Sequence, residues 1–553
     1  MKDLTKEKDL KLPDKVFIHL VVGITGHRDI IEKDKPLLKK SILELFRELK
    51  KECPYTPLLL LTPLADGADR LAAEAAIDEG IKYVVPLPLP KEEYEKDFPE
   101  TVAEFENLLE NKNCIASFEL PISDKNLELA KHDSSGRDKR YELAGAFVVK
   151  YSPVLIALWD GKEIDKTGGT SKIVGFQLKG LPEEYSTKSS SFDLSDKGIL
   201  YHINTRRRSE DSSIPYKEEK GFKMPEGMDI KEKDYVFKKF NNFNEEINLL
   251  SVKKINESRN DLASPEIVSK ENFISTIFAE ANALALYHQK IWRRSYKFLL
   301  LPLVGVIAIT FVLYTNFMAT YILTIYLGFY IIAAGLFLYF HKHRERYIDF
   351  RSLAEGLRVE FFLRLAGIRE DTADFYLKKH DAELQWVRET LRSANLFEPQ
   401  KNPDFYSIKK EWIDEQANYF NKREYEERKK LRKLRIIVII LYSLGLLSTG
   451  FVIVLSMTHM FKPLLSLFIA LTVLMPVFAG LFGTYIQRMA LSEHQSEYIR
   501  MKGIYNKAID KWKTTKEEET QIRQKIILDL AKEALRENAD WLLLHRKIPD
   551  KMP

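Results

Sequence analysis

The sequence predicts an α/β domain with a doubly wound, mainly parallel sheet, followed by an all-α membrane domain with four transmembrane helices. Two observations predict this architecture. Short apolar segments alternate with loops and helical patterns in the N-terminal part, as expected for parallel strands joined by helices. Farther along the chain, no Asp, Glu, Lys or Arg lies between Lys297 and His341, and a second apolar block follows Arg435. Runs of this length are typical of membrane spans.

Four buried strands are predicted in the N-terminal domain, and each precedes a loop and a helix. Ligands of doubly wound sheets bind beyond the carboxyl ends of the strands, so these loops are expected to share one functional edge. The strands are residues 16–24, 58–61, 81–87 and 154–159, with a short edge strand at 201–206.

Glycines, hydroxyl groups and charged side chains follow these strands. Glycine lets the backbone approach a phosphate, and helix N-termini offer free N–H groups. Arginine pairs with phosphate, whereas aspartate accepts from ribose hydroxyls. Each fragment alone is also compatible with an ordinary turn, but their agreement at one edge predicts a nucleotide-type site. Its residues are Gly23, Thr25, Gly26, His27, Arg28, Asp66, Gly67, Asp69, Arg70, Arg140, Asp160, Gly161, Gly168, Gly169, Thr170 and Ser171.

Composition narrows the classes of function. The net charge of +5 is too small to argue for a nucleic acid polymer as partner. The two cysteines, Cys53 and Cys114, have no partners at metal-ligand spacing, so neither a metal site nor a disulfide framework is expected. The charged first residues lack an apolar core, so no signal peptide is expected.

Four spans are predicted at about residues 298–314, 320–340, 436–456 and 463–486. Lysine and arginine flank the two hairpins on their outer sides, which places both termini in the cytoplasm by the positive-inside rule. The absence of charges within the spans argues against a transporter. The predicted segments are an N-terminal domain at 1–205, a polar linker at 206–265, and two helix–hairpin–helix units at 266–400 and 401–553.

Several motifs resemble a known family. The runs GITGHRD, PLADGADRLAAEAAIDEG, LIALWDG and TGGTSKIV, within about residues 15–205, resemble the SLOG superfamily. These are Rossmann-like domains related to LOG phosphoribohydrolases and DprA proteins. The later runs AEGLRVEFFLRLAGI and ENADWLLLHRKIP are similar to SLATT-type membrane modules, which occur attached to SLOG domains.

The resemblance implies a bacterial antiviral-defence effector of Thoeris or CBASS-like type, acting by abortive infection. The SLOG domain would bind a nucleotide second messenger, of ADP-ribose or cyclic nucleotide type, made by a partner enzyme such as a TIR protein or a nucleotidyltransferase. The SLATT part would assemble as a homo-oligomer and disrupt the inner membrane or form a pore in it. No cofactor is implied beyond this ligand.

One departure from the family bears on catalysis. LOG enzymes carry a Gly-Gly-x-Gly-Thr-x-x-Glu motif, and residues 168–175 here lack its third glycine and its glutamate. Without that carboxylate the motif has no general acid or base, so the sequence favours binding without turnover. Glu142 or Asp133 remains an alternative carboxylate, and a membrane-anchored nucleotide or phosphoribosyl hydrolase remains the alternative function. The basic turn at 206–208 is either a phosphate contact or a solvated surface turn.

Overall fold

The computed structural model describes most of the chain. About half of the predicted first span, about 298–314, lies outside the described residues. Described are residues 15–164, 166–186, 196–210, 216–268, 273–295, 303, 305–310, 313, 320–377, 384–397, 402–458 and 462–547.

The chain divides into two compact units, and each unit combines separate stretches of sequence. Unit 1 comprises residues 1–259, 268–280 and 369–400. Unit 2 comprises residues 260–267, 281–368 and 401–553. Both units are therefore discontinuous, whereas the predicted domains are consecutive segments.

Seven strands within the described residues form one sheet in unit 1. All neighbouring pairs are parallel except the last, β6–β7, so the predicted mainly parallel sheet is confirmed. The spatial order is β4-β3-β2-β1-β5-β6-β7. The strands are β1 (Leu20–Gly26), β2 (Leu58–Leu61), β3 (Lys82–Leu87), β4 (Cys114–Glu119), β5 (Val154–Trp159), β6 (Ile199–Asn204) and β7 (Lys220–Lys223).

Two strands differ from the sequence prediction. β4 was not predicted, because its side chains are only partly buried and lack a continuous apolar run. The segment predicted as an edge strand corresponds to β6, which is not at the edge: β7 pairs with it antiparallel, with Tyr201 opposite Phe222. The rings of these two residues lie 4.9 Å apart, edge to face.

Helices cover the sheet. In α1, Leu38, Ile42, Leu45 and Leu49 recur at three- and four-residue spacing and are fully buried, as an amphipathic helix against a sheet requires. The helices up to residue 295 are α1 (Lys35–Glu52), α2 (Ala68–Asp78), α3 (Lys91–Tyr94), α4 (Val102–Glu110), α5 (Asp124–His132), α6 (Ser134–Tyr151), α7 (Thr170–Lys179), α8 (Ile230–Asn248), α9 (Val252–Arg259), α10 (Pro265–Val268) and α11 (Phe273–Ser295).

Residues 206–265 hold more structure than the predicted polar linker, since β7, α8 and α9 lie there. In α8, Phe240 and Phe243 are buried at helical spacing among charged residues. The Asn244 side chain accepts from the Ile18 N–H and donates to the Ile18 carbonyl, both at 3.0 Å. These contacts make α8 part of unit 1. The many charged residues of α8 give the segment a polar average composition, so its apolar face is not evident from composition.

The later helices are long. α12 joins the predicted second span and the helix after it without a break. A π-helical turn at Lys409–Asp414 connects α14 to α15. The later helices are α12 (Thr320–Leu365), α13 (Gln385–Asn395), α14 (Phe405–Ile408), α15 (Glu415–Thr458), α16 (Lys462–Arg488), α17 (Leu491–Thr514) and α18 (Thr520–Lys547).

Three helical stretches in the described residues are long and apolar enough to cross a membrane: Thr320–Leu365, Phe405–Met457 and Leu465–Thr514. Their apolar side chains are largely exposed: Leu338 is 69% exposed and Leu446 is 76% exposed. Exposed apolar surface on this scale is expected of a chain whose solvent there is lipid. α15 and α16 approach closely where a Cβ on Gly445 would lie 3.0 Å from Pro476 Cδ, as small residues allow at helix contacts in membranes.

Candidate functional site

The topology of the sheet places the candidate site beyond β1 and β5. Strands β1 to β4 succeed one another on one side of the sheet, whereas β5 returns beside β1 and starts the other side. The connections therefore diverge between β1 and β5. In open α/β sheets, this divergence at the carboxyl ends leaves a crevice in which ligands bind.

His27 and Asp160, both predicted site residues, join the loops that follow β1 and β5. The Asp160 N–H donates to His27 Nε2 at 3.1 Å, and the same nitrogen lies 3.3 Å from Asp160 Oδ1. Burial lowers the pKa of His27, although Asp160 opposes this effect. A ring nitrogen that accepts a backbone N–H is unprotonated, so His27 is a neutral link between the loops.

The loop after β2 is packed against the loop after β1. The Ala68 N–H donates to the His27 carbonyl at 3.1 Å. Gly67 has φ of +79°, and a Cβ there would lie 2.5 Å from the Arg28 carbonyl oxygen. A Cβ on Gly26 would lie 2.3 Å from the Ala68 Cβ. These glycines therefore allow backbone contact between the two loops, which fixes this side of the crevice.

Arg28 is the exposed cation of the crevice. Its guanidinium lies 4.3 Å from the centre of the Tyr141 ring, and it forms no ion pair within the described residues. A guanidinium stacked on an aromatic ring keeps its N–H edges available for an anion. Tyr141 was not predicted, and its buried hydroxyl has no hydrogen-bond partner within the described part of the chain.

Arg70 is buried, and its guanidinium is engaged by other groups of the protein. Its side chain is 2% exposed and lies 2.6 Å from Asp66 Oδ1. It also donates to the carbonyls of Leu64 and Thr101, each at 3.2 Å. A ligand phosphate would have to displace these contacts to reach Arg70.

Arg140 is engaged in the same way. It is buried and donates to three backbone carbonyls: Pro88 at 2.7 Å, and Leu120 and Pro121 at 2.9 Å. Burial lowers the pKa of Arg140, yet a guanidinium remains charged at neutral pH. Arg140 thus ties the segments after β3 and β4 to α6.

The two predicted aspartates after β2 differ in their surroundings. Asp66 accepts from the Thr101 hydroxyl at 2.8 Å in addition to Arg70. Asp69 is buried, and its Oδ2 accepts from the Ala65 N–H at 3.2 Å. Burial raises the pKa of Asp69 to about 7, against the opposing effects of that hydrogen bond, Arg28 and Arg70. Asp69 is therefore too buried to accept from a ribose without rearrangement, whereas Asp66 is partly exposed and its Oδ1 is already engaged.

The loop that leads into α7 forms the other side of the crevice. Glu142 is buried, and its carboxylate accepts from the Gly168 N–H at 3.1 Å and lies 2.9 Å from Lys172 Nζ. The Tyr185 hydroxyl donates to the same carboxylate at 3.1 Å. Glu142 therefore positions the Gly168 turn, where φ is +70°, and all its partners are structural.

Thr170 is the first residue of α7 and follows Gly169. The Ser171 hydroxyl accepts from the Ile164 N–H at 3.1 Å and closes the loop that contains Gly161. Thr170 makes no side-chain hydrogen bond within the described part of the chain. Thr170 and the first N–H groups of α7 are suited to an anion, because helix N-termini carry partial positive charge.

The basic turn at 206–208 pairs with acidic residues that follow β1. Arg206 Nη2 lies 2.7 Å from Asp34 Oδ1, Arg207 Nε lies 3.1 Å from Asp29 Oδ2, and Arg208 Nη2 lies 2.8 Å from Glu32 Oε1. These ion pairs favour a structural role over a phosphate contact.

Some of the predicted residues have structural roles, and others lie at the crevice. Gly23 lies within β1, where a Cβ would meet Val148 on α6 at 2.6 Å. Thr25 pairs in register with Ala157 of β5. Asp133 caps the exposed start of α6 by accepting from the Ser135 N–H at 3.0 Å. The predicted residues at the crevice are Thr25, His27, Arg28, Asp160, Gly161, Gly168, Gly169 and Thr170, joined by Tyr141. Among them, Arg28 and Thr170 make no side-chain hydrogen bond within the described residues.

Two tyrosines near the crevice, Tyr94 and Tyr141, were not predicted from the sequence. The Tyr94 hydroxyl, like that of Tyr141, is buried and has no hydrogen-bond partner in the segments that the structure describes. The two rings lie 6.1 Å apart. Buried hydroxyl groups without partners are unusual and mark a place where water or a ligand completes the hydrogen bonding. No sequence motif distinguishes these tyrosines from core residues.

Among the described residues, no group of three or more His, Cys, Asp or Glu side chains is placed to hold a metal ion. Comparison with protein-family models, with curated proteins and with solved structures finds no match to this chain.

Proposed function

We propose that this chain is a membrane effector of bacterial antiviral defence, in which the α/β unit binds a nucleotide-derived second messenger. Binding then triggers pore formation or general disruption of the inner membrane by the helical part. In this proposal the chain crosses the membrane four times, both termini are cytoplasmic, and the active form is a homo-oligomer. A partner enzyme, such as a TIR protein or a nucleotidyltransferase, supplies the signal.

The observation that carries the proposal is the crevice between β1 and β5 in a chain that also contains apolar membrane-length helices. The crevice offers an exposed arginine stacked on a tyrosine, a helix N-terminus and a neutral histidine. Phosphate and ribose groups are recognised by these features. The SLOG-like motifs at the same loops support a ligand of ADP-ribose or cyclic nucleotide type.

Binding without turnover is the form of the proposal that the crevice supports. The Glu142 carboxylate is occupied by Gly168, Lys172 and Tyr185, and Asp133 lies at an exposed helix start. The alternative, a membrane-anchored nucleotide or phosphoribosyl hydrolase, requires a carboxylate near the ligand with a free proton-transfer position. Release of a free base from nucleoside phosphates by the purified chain would favour that alternative.

Ligand-dependent thermal stabilisation of the full chain in detergent tests the binding step. A ligand that binds only the folded state raises the melting temperature, and we expect this for one member of a panel of ADP-ribose-type and cyclic nucleotides. Thr170→Asp is expected to abolish the shift, because the added carboxylate repels phosphate at the start of α7. The same substitution is expected to stabilise the free chain slightly, by about 0.3–1 kcal/mol, because acidic residues suit helix N-termini.

Thr170→Ser is the matched control and is expected to retain the shift. Arg28→Gln is expected to weaken it, since Arg28 is the exposed cation of the crevice. Unchanged shifts in both Thr170→Asp and Arg28→Gln would contradict binding in this crevice. Dye release from liposomes containing the chain, with and without the stabilising ligand, then tests the membrane step. Intact liposomes at saturating ligand would contradict the effector function.

A further inference from the structure

A band of positive charge surrounds α15 immediately before its apolar part. Leu431 within this band is 3% exposed and packs inward, whereas the charged residues around it are exposed. Successive helical residues point in directions 100° apart, so the charges occupy most of the helix circumference. The band is called the basic collar here and consists of Arg428, Lys429, Lys430, Arg432, Lys433 and Arg435.

The collar borders directly on exposed apolar surface. Ile436 follows Arg435 without a break in the helix and is 48% exposed. Farther along, Ile439 is 63% exposed and Leu446 is 76% exposed. When these side chains face the hydrocarbon core, the collar lies at the level of the lipid head groups, because each residue adds only 1.5 Å along the helix.

Little in the described chain neutralises the collar. Lys430 lies 3.4 Å from Glu427, and Arg435 donates to the Ser492 hydroxyl at 3.3 Å. Arg428, Lys429, Arg432 and Lys433 form neither an ion pair nor a side-chain hydrogen bond within the described residues. At least four positive charges are therefore available to an external anion.

We propose that the basic collar binds the head groups of anionic phospholipids and gives the protein a preference for anionic bilayers. A soluble phosphate ion offers the same chemistry as a lipid phosphate. The position of the collar at the start of an apolar helix favours the lipid, because the bilayer presents its phosphates at that level. Clusters of four to eight cations beside a membrane helix act in this way.

Electron spin resonance of spin-labelled lipids tests this proposal on the full chain. The chain is reconstituted in phosphatidylcholine bilayers, and its association with labelled phosphatidylglycerol is compared with its association with labelled phosphatidylcholine. One cation near the surface changes the affinity for an anionic lipid by about fivefold. We expect a preference for phosphatidylglycerol of about that size, decreasing with added NaCl because salt screens exposed charges.

Substitutions test whether the preference for phosphatidylglycerol comes from the basic collar. Arg428→Gln, Arg432→Gln and Arg435→Gln together are expected to bring the preference close to one. The same three positions changed to lysine are expected to retain it, which separates loss of charge from loss of folding or insertion. Lys511→Gln with Lys513→Gln, which removes exposed charges near the end of α17, is the matched control and is expected to leave the preference unchanged.

Three results would overturn the proposal. These are equal association of the two lipids with the unmodified chain, an equal loss of preference in the Lys511 and Lys513 control, and a preference that does not respond to NaCl. A parallel experiment with added inorganic phosphate tests whether the collar binds a soluble anion instead of a lipid. If phosphate suppresses the preference more than NaCl of the same ionic strength, the collar binds free anions and not lipid.

Discussion

Arg140 donates to the carbonyls of Pro88, Leu120 and Pro121, which belong to the chain after β3 and after β4. Its replacement by methionine removes the Arg140 donors from three carbonyls, of which those of Pro88 and Leu120 belong to buried residues. We expect Arg140→Met to reduce the free energy of unfolding by about 3 kcal/mol or more, since each lost hydrogen bond to a charged group costs about 1.5–3 kcal/mol. Thermal unfolding of the full chain in detergent measures the change.

Arg28→Met is the control for this substitution, because Arg28 is exposed and its side chain contacts the Tyr141 ring but forms no ion pair with any described residue. Its effect on stability is expected to remain within about 0.5 kcal/mol, as for other exposed positions. Equal destabilisation by the two substitutions would show that Arg140 is not a structural anchor.

We expect Glu280 on α11 to make the stability of unit 1 dependent on pH. Its Oε1 accepts from the Val16 N–H at 2.7 Å, while its buried Oε2 has no hydrogen-bond partner among the described residues. Burial raises the pKa of Glu280 to about 8, against smaller opposing effects of the Val16 hydrogen bond, Arg259 and Lys15. The folded state therefore binds a proton that the unfolded state has released above its ordinary pKa of 4.5.

The stability contributed by protonated Glu280 is fully present below pH 4.5 and declines as the pH rises towards 8. Glu280→Gln keeps an acceptor for Val16 and cannot ionise. At pH 8.5 we expect this variant to have a free energy of unfolding about 1–3 kcal/mol higher than that of the unmodified chain, seen as a higher melting temperature. At pH 5 we expect a smaller difference. A difference that is constant across this range would contradict a buried, protonated Glu280.

At the scale of single residues, the sequence predicted which loops form the candidate site but not what each arginine in those loops does. Arg28, Arg70 and Arg140 were all predicted to bind phosphate, yet only Arg28 is exposed. The other two are buried beneath loops whose carbonyls they bind, and those carbonyls come from distant parts of the chain. A motif reports residue type and spacing, whereas burial depends on partners that only the fold brings together.

At the scale of elements, α6 links the crevice to the segment that follows α12. Its middle carries Arg140, Tyr141 and Glu142, and its end carries Lys150 and Tyr151. Lys150 Nζ lies 2.9 Å from Asp371 and 2.8 Å from Asp374, and the Tyr151 hydroxyl donates to Asp371 at 2.6 Å. Burial alone would lower the pKa of Lys150, but the two aspartates raise it.

Lys150→Met removes the cation that lies closest to two buried carboxylates, while Arg392 Nη2 remains 4.0 Å from Asp374 Oδ1. We expect a loss of about 3–5 kcal/mol in the free energy of unfolding, as for other broken buried pairs. Adding Asp374→Asn to Lys150→Met is expected to recover part of this loss, because one uncompensated charge is removed. Additive effects in the double-mutant cycle, measured by thermal unfolding, would show that the two residues are not coupled.

The elements that sequence analysis predicted correctly are those with an unbroken local pattern. β2 and β5 are continuous apolar runs, and both were found. β4 and β7 are short and only partly buried, and α8 is dominated by charged residues despite its buried phenylalanines. Their stability derives from partners such as β3, β6 and β1, so the local sequence contains too little of the signal.

At the scale of the whole molecule, unit 1 is not a contiguous N-terminal domain. Trp386 of α13 is buried, with its ring 6.1 Å from that of Phe243 on α8. Phe397 stacks on Phe273 at 4.2 Å. Both contacts require residues 369–400, which follow α12 in the chain.

A fragment of residues 1–259 therefore lacks part of its own core. We expect it to aggregate or to show weak, non-cooperative unfolding, because the surfaces that cover Phe243 and the end of α6 are missing. A fusion that appends residues 369–400 through a flexible linker is expected to improve solubility and cooperativity, measured by calorimetry. A fragment of 1–259 that unfolds as cooperatively as the fusion would contradict this expectation.

The interleaving of the two units also sets an order of events during synthesis. Residues 369–400 leave the ribosome only after α12, whose apolar half is already available for insertion into the membrane. At synthesis rates of about 5–20 residues per second, roughly 5–20 s separate the synthesis of Glu280 from that of Arg369. The α/β unit thus completes its core only after the chain has produced α12, a helix long and apolar enough to cross a membrane.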